Sequence, residues 1–249
     1  MKPDMKVLDT GTGSGNQIIE LSQRLGRSST VYGLEYRDEA IQSIIQKCDR
    51  LRLDNIEVFK GEMDDLPFVD GYFDLIISNN GFRNVSTLDL ALSEVYRVAK
   101  PSAQLVLSIH LQDALKELYS VMLDVLGSQN MKEEAEGIKT QIHSRQKPLK
   151  EVEVTLNSAG FSIEEIKLNQ FSMSFLDGTA FLNHYIIRND VLDIWSDLLK
   201  ENEAQQTVLK LIEQSINERS SNVGEYVVNI PYAVINCSRK NNNQKLWIG

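Results

Sequence analysis

Asp9, the glycines at 11, 13 and 15, Glu35, Asn79, Asn80 and His110 are the residues of this chain whose types and spacing lend themselves to chemistry. The stretch Asp9-Thr10-Gly11-Thr12-Gly13-Ser14-Gly15-Asn16 is a glycine loop with a carboxylate at its entrance. Glycine there lets a large ligand group approach the backbone and permits the positive φ that a tight turn needs. A helix after such a loop offers free N–H groups and the positive end of its dipole, which suits a nucleotide-like ligand. Glu35 follows about 20 residues on, where nucleotide-binding α/β folds place a carboxylate whose two oxygens accept from a vicinal diol of ribose. A solvated loop acid is the alternative for Glu35. The loop is not a dinucleotide fingerprint, because Asn16 stands where G-x-G-x-x-G requires its last glycine, and this weakens a nicotinamide reading.

The elements that must position these groups read in order. Val7-Leu8 ends a buried strand, and Ile18, Leu21 and Leu25 form the inner stripe of the next helix. Thr30–Leu34 is the second strand. Asp38 caps a helix striped by Ile41, Ile44, Ile45, Cys48 and Leu51. Asn55–Phe59 and Phe73–Asn79 are the third and fourth strands. Ser86, paired with Asp89, opens a helix that runs to Lys100 and stops at Pro101, and Gln104–His110 is the fifth strand. A helix over Leu149–Ala159, a strand over Ser162–Leu168 and a last strand over Glu225–Cys237 complete the pattern.

This succession resembles the class I S-adenosylmethionine-dependent methyltransferases, in the style of the small-molecule enzymes of ubiquinone and menaquinone biosynthesis. Asp9-Thr-Gly-Thr-Gly-Ser-Gly15 resembles their motif I, and Gly61-Glu-Met-Asp-Asp-Leu-Pro-Phe68 their G-D-x-x-x-L-P-F pattern. Phe73-Asp74 resembles their F-D strand. Leu92-Ser-Glu-Val-Tyr-Arg-Val-Ala-Lys-Pro101 resembles L-x-E-x-x-R-V-L-K-P-G-G, with Ala99 for Leu and Ser102-Ala103 for both glycines. Ala159-Gly-Phe161 resembles the family's A-G-F ending.

The resemblance implies an α/β fold, a doubly wound, Rossmann-like, mostly parallel seven-stranded sheet with an antiparallel last strand. It implies S-adenosyl-L-methionine as cofactor, with Gly11, Thr12, Gly13, Gly15 and Asn16 under its methionine part. Asp9 then fixes the ammonium end or an ordered water. Glu35, with Tyr36 beside it, falls at the ribose. Glu62, in place of the usual shorter Asp, accepts from the adenine amine while the Met63 N–H reaches a ring nitrogen, with Asp64 as a nearby competitor for the carboxylate role. Asn79 faces the cofactor and Asn80 the substrate, unless Asn80-Gly81 simply makes a turn.

The whole chain reads as one methyltransferase domain, with its core in residues 1–110, 148–168 and 223–240 and helical cap insertions at 111–147 and 169–222. The first insertion carries a helix striped by Leu111, Leu115, Leu118, Met122 and Val125 and ended by Gly127, then a more polar helix. The second is read as helices near Thr179–Arg188, Asp190–Lys200 and Glu203–Arg219. On the first of these, Phe181, His184, Tyr185 and Arg188 would share one face, either lining a substrate or packing in the core. His110, at a strand's carboxyl end, is the first candidate base and His184 the second; His143 reads as a surface residue near a helix end.

The charge balance of 26 Lys and Arg against 35 Asp and Glu, net −9, argues against a nucleic-acid partner. Two distant cysteines and three histidines supply neither a disulfide framework nor a metal set. No apolar run approaches a membrane span and no signal-peptide core opens the chain, so the reading is soluble and cytoplasmic. Only six residues precede Val7, where family members usually carry helices that fold over the cofactor. The insertions replace that lid, a partner subunit such as a second copy supplies it in a homodimer, or the site is open. The reaction expected is in-line methyl transfer to a small-molecule acceptor; the alternative is a catalytically inactive S-adenosylmethionine-binding regulatory or interaction subunit.

Overall fold

The computed structural model describes residues 2–85, 87–188 and 202–240. They divide into two compact units, one within Met1–His110, Pro148–Leu168 and Tyr232–Gly249, the other within Leu111–Lys147 and Asn169–Pro231.

The first unit is built on β1 (Lys6–Thr10), where Val7 and Leu8 are fully buried, as expected of a strand covered on both faces. β2 (Thr30–Glu35) and β4 (Phe73–Asn79) flank it in parallel, with Val7 opposite Val31 on one side and Leu75 on the other. β3 (Ile56–Lys60) lies outside β2, and β5 (Ala99–His110) outside β4. With β6 (Phe161–Phe175) and β7 (Tyr226–Arg239) the sheet order is β3-β2-β1-β4-β5-β7-β6, and β7 runs antiparallel to β5. The expected doubly wound, mostly parallel seven-stranded sheet is what forms. Its order reverses between β1 and β4, which makes the carboxyl ends of those two strands the topological switch point. Helix α1 (Asn16–Leu25) seats Ile18 on Val31 and on Ile44 of α2 (Asp38–Leu51), with Leu21, Leu25 and Cys48 packed around them.

Several boundaries differ from expectation. Helix α3 (Leu88–Val98) ends before Lys100, and Ala99 is already in β5. The residue before a proline is pushed out of the α region, so Pro101 turns Lys100 extended. Thr87 sits at the N-cap of α3 without a side-chain cap, while Ser86 lies outside the described residues. β6 runs on past Leu168 to Phe175, because its side chains keep alternating: Met173 and Phe175 reach the second unit's core while Gln170 and Ser172 donate to the Asn229 side-chain oxygen.

The second unit has its own core. α4 (Lys116–Ser128) and α5 (Lys132–Arg145) pack Leu118, Met122 and Ile138 against Phe175, Phe181 and residues of the later helix near Ile212. Leu111 precedes α4 rather than joining its stripe, and Gly127 lies inside it. α6 (Leu149–Ser158), in the first unit, forms as read. The reading of one helix over Thr179–Arg188 is corrected: α7 spans Gly178–Asn183, opened by Asp177 accepting from the Ala180 N–H, and His184 is extended at ψ 132°. The helix expected at Asp190–Lys200 lies outside the described residues; α8 (Asn202–Val223) covers the last. No helix among the described residues is long and apolar enough to cross a membrane.

Candidate functional site

The glycine loop leaves β1 at the switch point with Gly11, Gly13 and Gly15 at φ 71°, 57° and 79°, a left-handed path that L side chains resist. At Gly11 a Cβ would stand 2.9 Å from the Gly81 Cα, so this loop and the one after β4 touch backbone to backbone. At Gly15 it would meet Ile44 of α2 at 2.6 Å. A Cβ on Gly13, by contrast, meets nothing nearer than the Gly11 carbonyl at 4.0 Å, which leaves an open cradle above the loop. The Gly11 and Thr12 N–H groups donate to the Leu34 carbonyl, and Lys47 donates to the Ser14 carbonyl, fixing the loop to β2 and α2.

Two buried carboxylates belong to the loop's surroundings, Asp9 at its entrance and Glu35 at the end of β2. Asp9 is 1% exposed, and its Oδ1 has no hydrogen-bond partner. Burial pushes its carboxyl up to about 7; a Thr12 hydrogen bond opposes the rise and the nearby Glu35 charge adds to it. Glu35 is 3% exposed and hydrogen-bonded at both oxygens: Oε2 accepts from the Gly13 N–H at 2.8 Å, and Oε1 from the Tyr36 and Arg37 N–H groups and the Arg37 Nε. Its carbonyl also accepts from the Gly61 N–H, so Glu35 ties together the loops after β1, β2 and β3. Tyr36 and Asn16 are exposed at the rim.

The segment between β3 and β4 carries Glu62, which is exposed, and Met63, which is buried. It is clamped by two residues that the sequence reading quoted without a role. Glu94 accepts from the Leu66 N–H at 2.9 Å, and Arg97 donates to the Leu66 and Phe68 carbonyls at 2.9 and 2.6 Å, to Asp70 and to Glu94. The Arg97 hydrogen bond holds the Glu94 carboxyl below its usual range. The signal for this clamp was the E-x-x-R spacing, which puts both side chains on one face of α3.

At the ends of β4 and β5, Ser108 donates to the Asn79 side-chain oxygen at 2.5 Å, and the Asn80 side-chain nitrogen lies 3.2 Å from His110 Nε2. Asn80 is left-handed at φ 55° and its Oδ1 is buried without a partner. Thus Asp9, the loop, Glu35, Tyr36, Glu62, Met63, Asn79, Asn80 and His110 all belong to the first unit.

The remaining candidates belong to the second unit. Phe181 is wholly buried, edge-on to Phe175 and Tyr226, so its ring is core rather than a lining. The extended His184 interrupts the helical spacing, so the single face expected for Phe181, His184, Tyr185 and Arg188 does not form. His184 packs on the Phe175 ring with an unpartnered Nδ1, while Tyr185 and Arg188 are exposed.

A family model described as a methyltransferase domain matches residues 1–160, almost two-thirds of the chain. The chain belongs to this methyltransferase-domain family. A demethylmenaquinone methyltransferase of a Geobacillus species is 35% identical over 101 residues, which is 41% of this chain and 43% of that protein. The matched segment is therefore under half the length of that relative. The resemblance to methyltransferases is borne out at the level of the domain family. Among solved structures, the YcgJ protein of Bacillus subtilis shares the fold at TM-score 0.63 and 16% identity, over 97% of this chain and 94% of that one. A SAM-dependent methyltransferase of Methanosarcina mazei does so at TM-score 0.60 and 16% identity, over 96% and 94%.

Proposed function

We propose that this chain binds S-adenosylmethionine on the glycine loop and transfers its methyl group to a small-molecule acceptor by in-line displacement. The observation that carries the reading is the buried Asp9 oxygen with no partner at the entrance of the glycine loop: a buried acceptor of this kind calls for a donor, and an ammonium group is one. The residues suit the rest of the cofactor as well, with Glu35 as acceptor for ribose hydroxyls and Glu62 with the Met63 N–H for one edge of an adenine.

When bound, S-adenosylmethionine supplies a methyl group on a positively charged sulfur. The chain's own task is then mostly positioning, because a collinear displacement gains most from fixed reactants. Asp9 holds the ammonium and Glu35 the ribose, while Asn79 and Asn80 present amides at the ends of β4 and β5. The His110 Nε2, which accepts from the Asn80 side-chain N–H, takes the proton from an attacking atom that must lose one once that atom displaces the amide. The acceptor reading rests on the acidic balance of the chain, which disfavours phosphate backbones, and on the name of the Geobacillus relative, which makes quinone-type rings the first acceptors to screen.

Calorimetric titration with S-adenosylmethionine and S-adenosylhomocysteine, beside a Gly13→Arg variant, tests the cofactor assignment. Micromolar binding that disappears in the variant is expected, since the new side chain fills the cradle without striking the fold. Product mass analysis across an acceptor panel, with His110→Ala slowed by ~10²-fold or more at unchanged cofactor affinity, tests the chemistry. Cofactor binding with no turnover of any acceptor would instead favour the inactive binding subunit.

A further inference from the structure

The stretch between β3 and β4 has no regular structure of its own, yet its backbone is tied at both ends. At one end the Gly61 N–H donates to the Glu35 carbonyl. At the other, α3 supplies a set of fixing bonds: the Leu66 N–H and carbonyl, the Phe68 carbonyl and the Asp70 carboxylate all end on Glu94 or Arg97, and the Gly71 N–H donates to the Arg97 carbonyl. Glu62 and Met63 lie between these anchors, and the Glu62 carbonyl accepts from the Asp65 N–H.

The geometry points to Glu94 and Arg97 as positioning residues for base specificity, which rests on the cofactor reading above: their fork holds the segment so that the Glu62 carboxylate and the Met63 N–H meet an adenine edge. Adenine offers an amino donor and a ring-nitrogen acceptor there. Hypoxanthine offers a carbonyl acceptor and a ring N–H donor, the reverse pattern, which a fixed Glu62 and Met63 pair rejects. A segment free to shift can turn other backbone groups toward the ligand, and discrimination falls. Arginine is required because one planar guanidinium must reach two carbonyls and two carboxylates at once, which a lysine point charge does not do. The pair is about one-fifth to one-third exposed, so these charge-assisted bonds are only partly screened.

The test compares S-adenosylhomocysteine with S-inosylhomocysteine, which differ only at that edge, by calorimetry on the full chain. The wild type is expected to prefer the adenine ligand by ~10-fold or more, and Arg97→Lys and Glu94→Gln to bring the two affinities within ~3-fold of each other. Arg97→Lys retains charge and most of the side-chain stem, and Glu94→Gln retains shape, so both are chosen to fold; circular dichroism and a thermal midpoint check this. Equal weakening of both ligands, with the preference intact, would mean that the clamp only stabilises the fold and would overturn the proposal. A preference unchanged in both variants would do the same. A wild type that binds neither ligand overturns the cofactor reading, and the proposal with it, whereas a wild type that binds both equally overturns the proposal alone.

Discussion

Asp9 shows most directly how a single residue's surroundings set its chemistry. Burial first, and the neighbouring Glu35 charge to a lesser degree, raise its carboxyl to about 7 against a Thr12 hydrogen bond. The folded chain therefore keeps a proton on Asp9 that the unfolded chain has already lost above about pH 4. The stabilising effect of that proton is fully present below the unfolded value and is lost as pH rises through about 7. Urea unfolding from pH 5 to 8 should show the wild type weakening relative to Asp9→Asn, by on the order of 3 kcal/mol between the two ends. No divergence between the two would show that Asp9 is ionised throughout. A cation bound at Asp9 favours the ionised form, so S-adenosylmethionine affinity should rise with pH until about 7, at most about tenfold per pH unit. The sequence placed Asp9 at the loop entrance; its unpartnered oxygen follows from which atoms surround it.

At the scale of elements, the loop after β1 is a backbone device. Gly11 and Gly13 are both left-handed, yet only Gly11 has a neighbour where its Cβ would go, the Gly81 Cα of the β4 loop. Gly11→Ala should thus destabilise the chain by more than the ~1–2 kcal/mol of left-handed strain that Gly13→Ala bears, as read from chemical denaturation midpoints. Equal costs would show that the two loops are not in contact. Strands and helices of the first unit were legible because each carries its own periodicity and punctuation: buried Val and Ile runs for strands, Ile18-Leu21-Leu25 for α1, Pro101 beyond α3. What misled were local rules overridden by pairing or packing. β6 continued to Phe175 because alternate side chains found a core, and α7 stopped at Asn183 although Phe181, Tyr185 and Arg188 keep helical spacing.

For the whole molecule, the decisive feature is that the described residues divide into two compact units, each with buried apolar clusters of its own. Phe181 is fully buried in the second, its ring centre 5.1 Å from Phe175 and 5.3 Å from Tyr226. Phe181→Ala should cost ~3–5 kcal/mol there. Hydrogen exchange should quicken in α4 and α8 before it does in β1, β2 and β4, because separate cores open as separate cooperative units. Exchange that quickens evenly across both would show a single cooperative body.

The sequence by itself determined the nucleotide-type loop, the order of the core elements and the candidate carboxylates, because glycine, proline and hydrophobic period act within a few residues along the chain. Tertiary structure alone decided that Glu35 joins three loops, that Glu94 and Arg97 reach across to clamp Leu66, Phe68 and Asp70, that Asn80 meets His110, and that Phe181 is core. Each of these is a contact between segments distant in sequence, and no local periodicity encodes which side chain will meet which backbone once the sheet has brought them together.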